Sequence, residues 1–139
     1  MPSGAYFCTV QAAAGIKFDQ SQKKWNGVPF EPRGGFIVRI KFQHTETQKM
    51  WNVEFTYDFY EASITQAGTS GTRNCRGSGK PTVMVDREHS SFQCDADLHE
   101  HRFNLKTLRF LRYYPIGYLN GDQPDNTPSV EAGICTKIE

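Results

Sequence analysis

The densest cluster of chemically capable side chains in this 139-residue chain is CDADLHEHRF, running from Cys94 to Phe103. Carboxylate and imidazole donors in one short segment suit Zn²⁺, Mn²⁺ or Fe²⁺. Read as a single strand, the segment puts Asp95, Asp97, His99 and His101 on one side, with Cys94, Ala96, Leu98, Glu100 and Arg102 on the other. Alternate side chains stand about 7 Å apart along a strand, so Asp97, His99 and His101 reach one divalent metal only if the strand curls. A metal-dependent enzyme would be centred on those three residues. The competing reading is a solvated polar strand whose charges keep a sheet edge from pairing with other chains. The remaining histidines, His44 and His89, have no position near the cluster that spacing alone assigns.

Other segments imitate functional motifs. CRGSGKPT resembles a phosphate loop, but Asn74 stands where the first glycine belongs, and Pro81 follows Lys80 where a hydroxyl residue is needed. It reads instead as a basic loop able to meet an anionic partner through Arg73, Arg76 and Lys80. KTLRFLRYY interleaves Lys106, Arg109 and Arg112 with Phe110, Tyr113 and Tyr114. An OB-like barrel that binds single-stranded nucleic acid uses such a surface, with bases stacking on rings and cations tracking phosphates. Sixteen basic against fifteen acidic residues leave a net charge of only +1, which argues against nucleic acid. NGDQPDN offers Asp122, Asp125 and Asn126 as oxygen ligands for Ca²⁺, at a spacing that is not an EF-hand's. No G-x-S-x-G occurs, and Ser90 and Ser91 beside His89 do not make a catalytic set on their own.

The elements that must position these residues have a period of two. In GFIVRIKFQ, Phe36, Val38, Ile40 and Phe42 share a face opposite Arg39, Lys41 and Gln43. In MWNVEFTYDF, Trp51, Val53, Phe55, Tyr57 and Phe59 alternate with Asn52, Glu54, Thr56 and Asp58. HTETQK between them reads as a hairpin loop, so the two strands are expected to pair antiparallel, each with its apolar face on a core. AYFCTVQ and GIKFD read as short strands, and WNGVPF as a strand or bend. The stretch from Thr65 to Pro81 is a long Gly/Ser/Thr-rich loop that needs an anchor, and Cys75 lies in its middle. TVMVD and SFQC follow as strands around the turn REHS. NLKT turns a further hairpin, with Leu108, Phe110, Arg112 and Tyr114 on one face and Pro115 ending the pairing. SVEAGICTKI closes the chain, with Val130, Ala132 and Ile134 on one face. The expectation is one all-β domain over residues 1–139, an antiparallel β-barrel or β-sandwich of about nine or ten short strands. A domain of this length buries enough surface for a real core.

Four cysteines are an even number, and none forms C-x-x-C. They are expected to form two disulfides, Cys75 with Cys94 to clamp the long loop and Cys8 with Cys135 to tie the termini, in an oxidising compartment. Met1 to Ala5 is too short for a signal peptide and lacks an apolar core. The chain then reads either as the mature form of an exported protein carrying an initiator Met or as a complete cytosolic protein, and the cysteines favour export, periplasmic or secreted. No stretch approaches the roughly 20 apolar residues of a membrane span.

HRFNLKTLRFLRYYPIGYLNGD followed by NTPSVEAGICTKI resembles the C-terminal half of a family of small, uncharacterised proteobacterial proteins with four cysteines that are thought to be exported. In them an aromatic hairpin leads to a Gly-Tyr step, then to an Asn-Thr-Pro turn and a strand ending in Cys. YFCTVQAAAGIKFD with KKWNGVPF is similar to their start, so the resemblance covers about half of the chain. It implies export and the four-cysteine arrangement. It brings no established activity and implies no catalytic residues.

The function expected from the sequence is a small exported binding or interaction module for a protein or small-molecule ligand, without a cofactor unless the metal reading holds. Its contact surfaces are expected on the Thr65–Pro81 loop, the hairpin carrying Arg109, Arg112 and Tyr113, and the Asn120–Pro128 loop. If the fold is a barrel, a small apolar ligand is also expected to enter its mouth.

Overall fold

A computed structural model describes residues 3–124 and 126–139. Strands β1 (Gly4–Asp19), β2 (Lys24–Phe30), β3 (Gly35–Met50), β4 (Val53–Gln66), β5 (Thr72–Cys75), β6 (Thr82–Asp86), β7 (Ser91–Ala96), β8 (His99–Asn104), β9 (Arg109–Tyr114) and β10 (Ser129–Lys137) form one antiparallel sheet. A short 3₁₀ turn at Tyr118–Asn120 is the one helical element among the described residues. The sheet runs β5-β4-β3-β1-β10-β9-β8-β7, with β2 added to β1 and β6 to β4. It curls until its ends approach. Arg76 and Asp95 exchange backbone hydrogen bonds of 2.9 and 2.8 Å, and the Cys75–Cys94 disulfide lies beside them. The result is barrel-like without being closed by a continuous ladder.

Both expected disulfides are present and no cysteine is free. Cys8 and Cys135 are direct cross-strand partners on β1 and β10. They close 127 residues of sequence, and Cys75–Cys94 closes 19. In the chain-entropy model these restrictions of the unfolded state contribute about 5 and about 3 kcal/mol. Disulfides of this kind persist in a non-reducing compartment.

The core is the inward face of every long strand. Phe36 is fully buried and meets Phe110 edge-on at 5.0 Å and Phe103 at 6.1 Å between ring centroids. Tyr60, Ile64, Val38, Val83 and Val85 belong to the same buried cluster. Gly133 makes this packing possible, because a Cβ there would lie 2.0 Å from the Thr9 carbonyl oxygen and 2.6 Å from the Phe110 ring.

Two irregularities explain where strand lengths differ from expectation. AYFCTVQ and GIKFD are one strand, because a bulge at Gln11 lets β1 bend without ending. The first half of β1 pairs with β3 and the second half with β2. A second bulge, between Phe42 and His44, carries β3 past the core as a projecting ribbon. HTETQK is therefore paired strand and not loop. The turn is only Trp51–Asn52, both at positive φ (54° and 63°), which is the backbone a two-residue hairpin needs.

The apolar face of MWNVEFTYDF does not meet the core. Asp58, Tyr60, Ala62 and Ile64 point inward on β4, so Val53, Phe55, Tyr57 and Phe59 lie on the outer face, and Trp51 is 93% exposed at the tip. The inward position of Asp58 is sustained by charge pairing. Arg87 donates to both of its carboxylate oxygens at 3.0 Å, and Thr45 donates its hydroxyl at 2.7 Å. These bonds, Arg87's first, hold the Asp58 carboxyl below the usual carboxylate range.

Candidate functional site

The Cys94–Phe103 segment is not one strand. It is the end of β7, a two-residue turn at Asp97–Leu98 with φ of 50° and 63°, and the start of β8. Reversing the chain there separates the candidate ligands. The Asp97 carboxylate faces Arg73 Nε at 3.3 Å. His99 turns Nδ1 to the Asp97 carbonyl at 2.7 Å and stacks on Tyr114 at 5.0 Å. His101 is inside the core at 1% exposure, packed parallel to Phe103 and edge-on to Phe36. Its two ring nitrogens have no hydrogen-bond partner among the described residues. Burial first, and the nearby Arg112 charge second, push its pKa down to about 3, so the ring is neutral at ordinary pH.

Among the described residues, the one set of three potential ligand atoms within 4.8 Å of one another is Asp86, Glu88 and His89, in the turn between β6 and β7. Its geometry is that of a stapled turn. The Asp86 carboxylate accepts from the Glu88 amide at 2.9 Å and pairs with His89 Nδ1. That hydrogen bond lowers the Asp86 pKa and raises His89's.

The basic and aromatic candidates also divide. Arg73, Arg76 and Lys80 are exposed, but on strand and tight turn instead of a long loop. β5 pairs with β4 over Ala62–Thr65, and Gly77 and Lys80 close a turn through Ser78 and Gly79, both at positive φ. The sequence that imitates a phosphate loop is thus a hairpin tip with no helix behind it. Arg112 is a correction to the expected contact surface. It is 8% exposed, held bidentate by Glu131 at 2.8 and 2.9 Å, and stacked on Phe36 at 5.0 Å. Alternation on β9 sends Arg112 inward while Arg109, Leu111 and Tyr113 face out. Tyr113 lies under the Arg102 guanidinium at 5.8 Å. In the Asn120–Pro128 loop, Asp122 accepts a 2.9 Å hydrogen bond from Trp25 Nε1, which ties the loop to the β1–β2 hairpin. Asp125, one of the suggested Ca²⁺ ligands, lies outside the described residues.

Among the described residues, the inward face of the sheet is packed with buried side chains. The space bounded by Tyr6, Val38, Phe103 and Cys135 is about 10 Å³, the size of one water at most. The open volume is on the outside. A groove of about 980 Å³ crosses the outer face of β7, β8, β9 and β10. Its outward-facing apolar side chains are Leu111, Ala132 and Ile134 from β9 and β10, with Tyr57 and Met84 from β4 and β6 on one flank, and its floor also touches the core residues Phe92, Phe103 and Phe110. Gln11 and Ala12, at the β1 bulge, line the other flank.

Comparison with protein-family models, with curated proteins and with solved structures found no match. The chemistry of the site therefore rests on the chain's own residues.

Sequence reasoning did not find the groove. Its signal was present as surplus apolar residues in outward phase: Leu111 between Phe110 and Arg112, Ile134 between Gly133 and Cys135, and Met84 between Val83 and Val85. A strand apolar on both faces has either a second layer to meet or a ligand to hold.

Proposed function

We propose that this chain is a small exported binding module that holds an apolar ligand in the groove on the outside of its sheet. The observation that carries the reading is a concave apolar volume of about 980 Å³ on the outside of a sheet whose inward side chains form a packed core. The potential chemical groups elsewhere are engaged structurally: the cysteines in disulfides, His101 in an aromatic cage, and Arg112 with Glu131. That pattern supports recognition over catalysis. Export is supported by the two disulfides and by the resemblance of the C-terminal half to four-cysteine proteins thought to be exported. Among the described residues, no helix is long and apolar enough to cross a membrane.

The test is a titration with the neutral fluorescent probe N-phenyl-1-naphthylamine. Saturable fluorescence enhancement is expected, and it should be lost in Leu111→Asp, a change at an exposed position that leaves the core untouched. Absence of saturable binding, or binding indifferent to Leu111→Asp, rules the groove out as the site.

A further inference from the structure

We infer that the groove takes a small amphiphile with one carboxylate head, and that Arg109 receives the head. This rests on the groove being the binding site, and it adds the chemical class of the ligand.

The strand register sorts the groove's outward side chains into two rows. Ser91, Asn104, Arg109 and Ile134 are successive cross-strand neighbours from β7 to β10. Gln93, Arg102, Leu111 and Ala132 form the next row. Polar residues thus occupy the β7–β8 side and apolar residues the β9–β10 side, with Arg109 at the boundary between Asn104 and Ile134. A ligand lying across the strands meets an apolar floor at one end and hydrogen-bond donors at the other.

The charges lining the groove are unequal in availability. Arg102 is occupied by Glu100 at 3.2 Å and by the Tyr113 ring. Asp86 is the acid of the lining, and its carboxylate is taken by His89 and the Glu88 amide. Arg109 is exposed and makes no ion pair with any described residue. An unneutralised guanidinium beside apolar surface selects an anionic group joined to an apolar body. Its planar fork matches a carboxylate in bidentate geometry. The volume falls within the range of sites that enclose most of a small molecule.

The experiment uses the full chain with both disulfides intact. Dodecanoate, 1-dodecanol and dodecylamine, each below its aggregation threshold, are titrated against bound N-phenyl-1-naphthylamine. One charge-assisted bidentate contact is expected to make dodecanoate about ten-fold tighter than dodecanol or more, with dodecylamine the weakest. Arg109→Gln should bring dodecanoate down to dodecanol's level, whereas Arg33→Gln, a charge change outside the groove lining, should not. Equal affinity for dodecanoate and dodecanol, or an advantage that survives Arg109→Gln, overturns the assignment of the head group while leaving the groove reading standing. Failure of all three to displace the probe overturns the ligand class. Failure of the probe itself to bind removes the groove reading as well.

Discussion

The two halves of the β3–β4 hairpin share one ladder and one period, yet they have opposite relations to the core. Near the body, Phe36, Val38 and Ile40 pack inward against Ala62 and Ile64, and all are buried. Beyond the bulge at Gln43, the same ladder continues through His44–Met50 and Val53–Phe59, and every β3 residue from His44 to Met50 is exposed. There the apolar row Val53, Phe55, Tyr57, Phe59 is on the outer side, joined by Met84 across β6. A period of two shows that a strand has one apolar face. It does not show that the core is on that face, because an outward recognition surface has the same signature.

Substitution can break this contrast. Phe36→Ala should destabilise by about 3–5 kcal/mol, the usual cost of emptying a packed aromatic site, measured as a shift in the denaturant midpoint. Phe55→Ala, made at the same period in the projecting half, should cost under about 1 kcal/mol. Equal effects would mean that the projecting half is packed on something in solution.

The polar groups inside the body sharpen the contrast through pH. His101 is neutral in the fold, with its pKa near 3 against an ordinary 6.5 in the unfolded chain. The unfolded state therefore binds the extra proton. The stability of the native form is intact above about pH 6.5 and falls as the pH drops towards 3, at about 1.4 kcal/mol per pH unit. His101→Phe should remove this slope and make the variant relatively more stable by about 2 kcal/mol at pH 5 than at pH 7, as read by denaturation at both pH values. A parallel pH response in wild type and variant would place His101 in solvent.

Arg87→Ala leaves the Asp58 carboxylate inside without its main partner and should cost about 1–2 kcal/mol near neutral pH. Because the pair lowers the Asp58 pKa, its contribution is present above about pH 4 and lost as the pH falls through the folded value. The variant and the wild type should therefore converge in acid. Trp51→Ala, at the hairpin tip, should change stability by less than about 0.5 kcal/mol and serves as the baseline for the series.

The sequence carried the strand content, the antiparallel pairing and both disulfides, because these follow from alternation, turn residues and the pairing of four cysteines. It carried the shared face of Leu108, Phe110, Arg112 and Tyr114, but not the inward side of Arg112, which depends on Glu131 from a strand distant in sequence. The Asp97–Leu98 turn was hidden because neither residue is glycine or asparagine, although both adopt positive φ. The supposed metal ligands parted at that turn. The groove was not legible because its walls come from β4, β6, β7, β8, β9 and β10 with Gln11 and Ala12, and only tertiary curvature brings them together.

Methyl-resolved NMR of the protein with and without dodecanoate tests most directly whether recognition occurs on the outside of the sheet. The expected result is that the methyl resonances of Met84, Leu111 and Ile134 move on saturation while those of Val38, Ile64 and Val83 stay in place. Movement of the interior methyls with a silent outer face would contradict it.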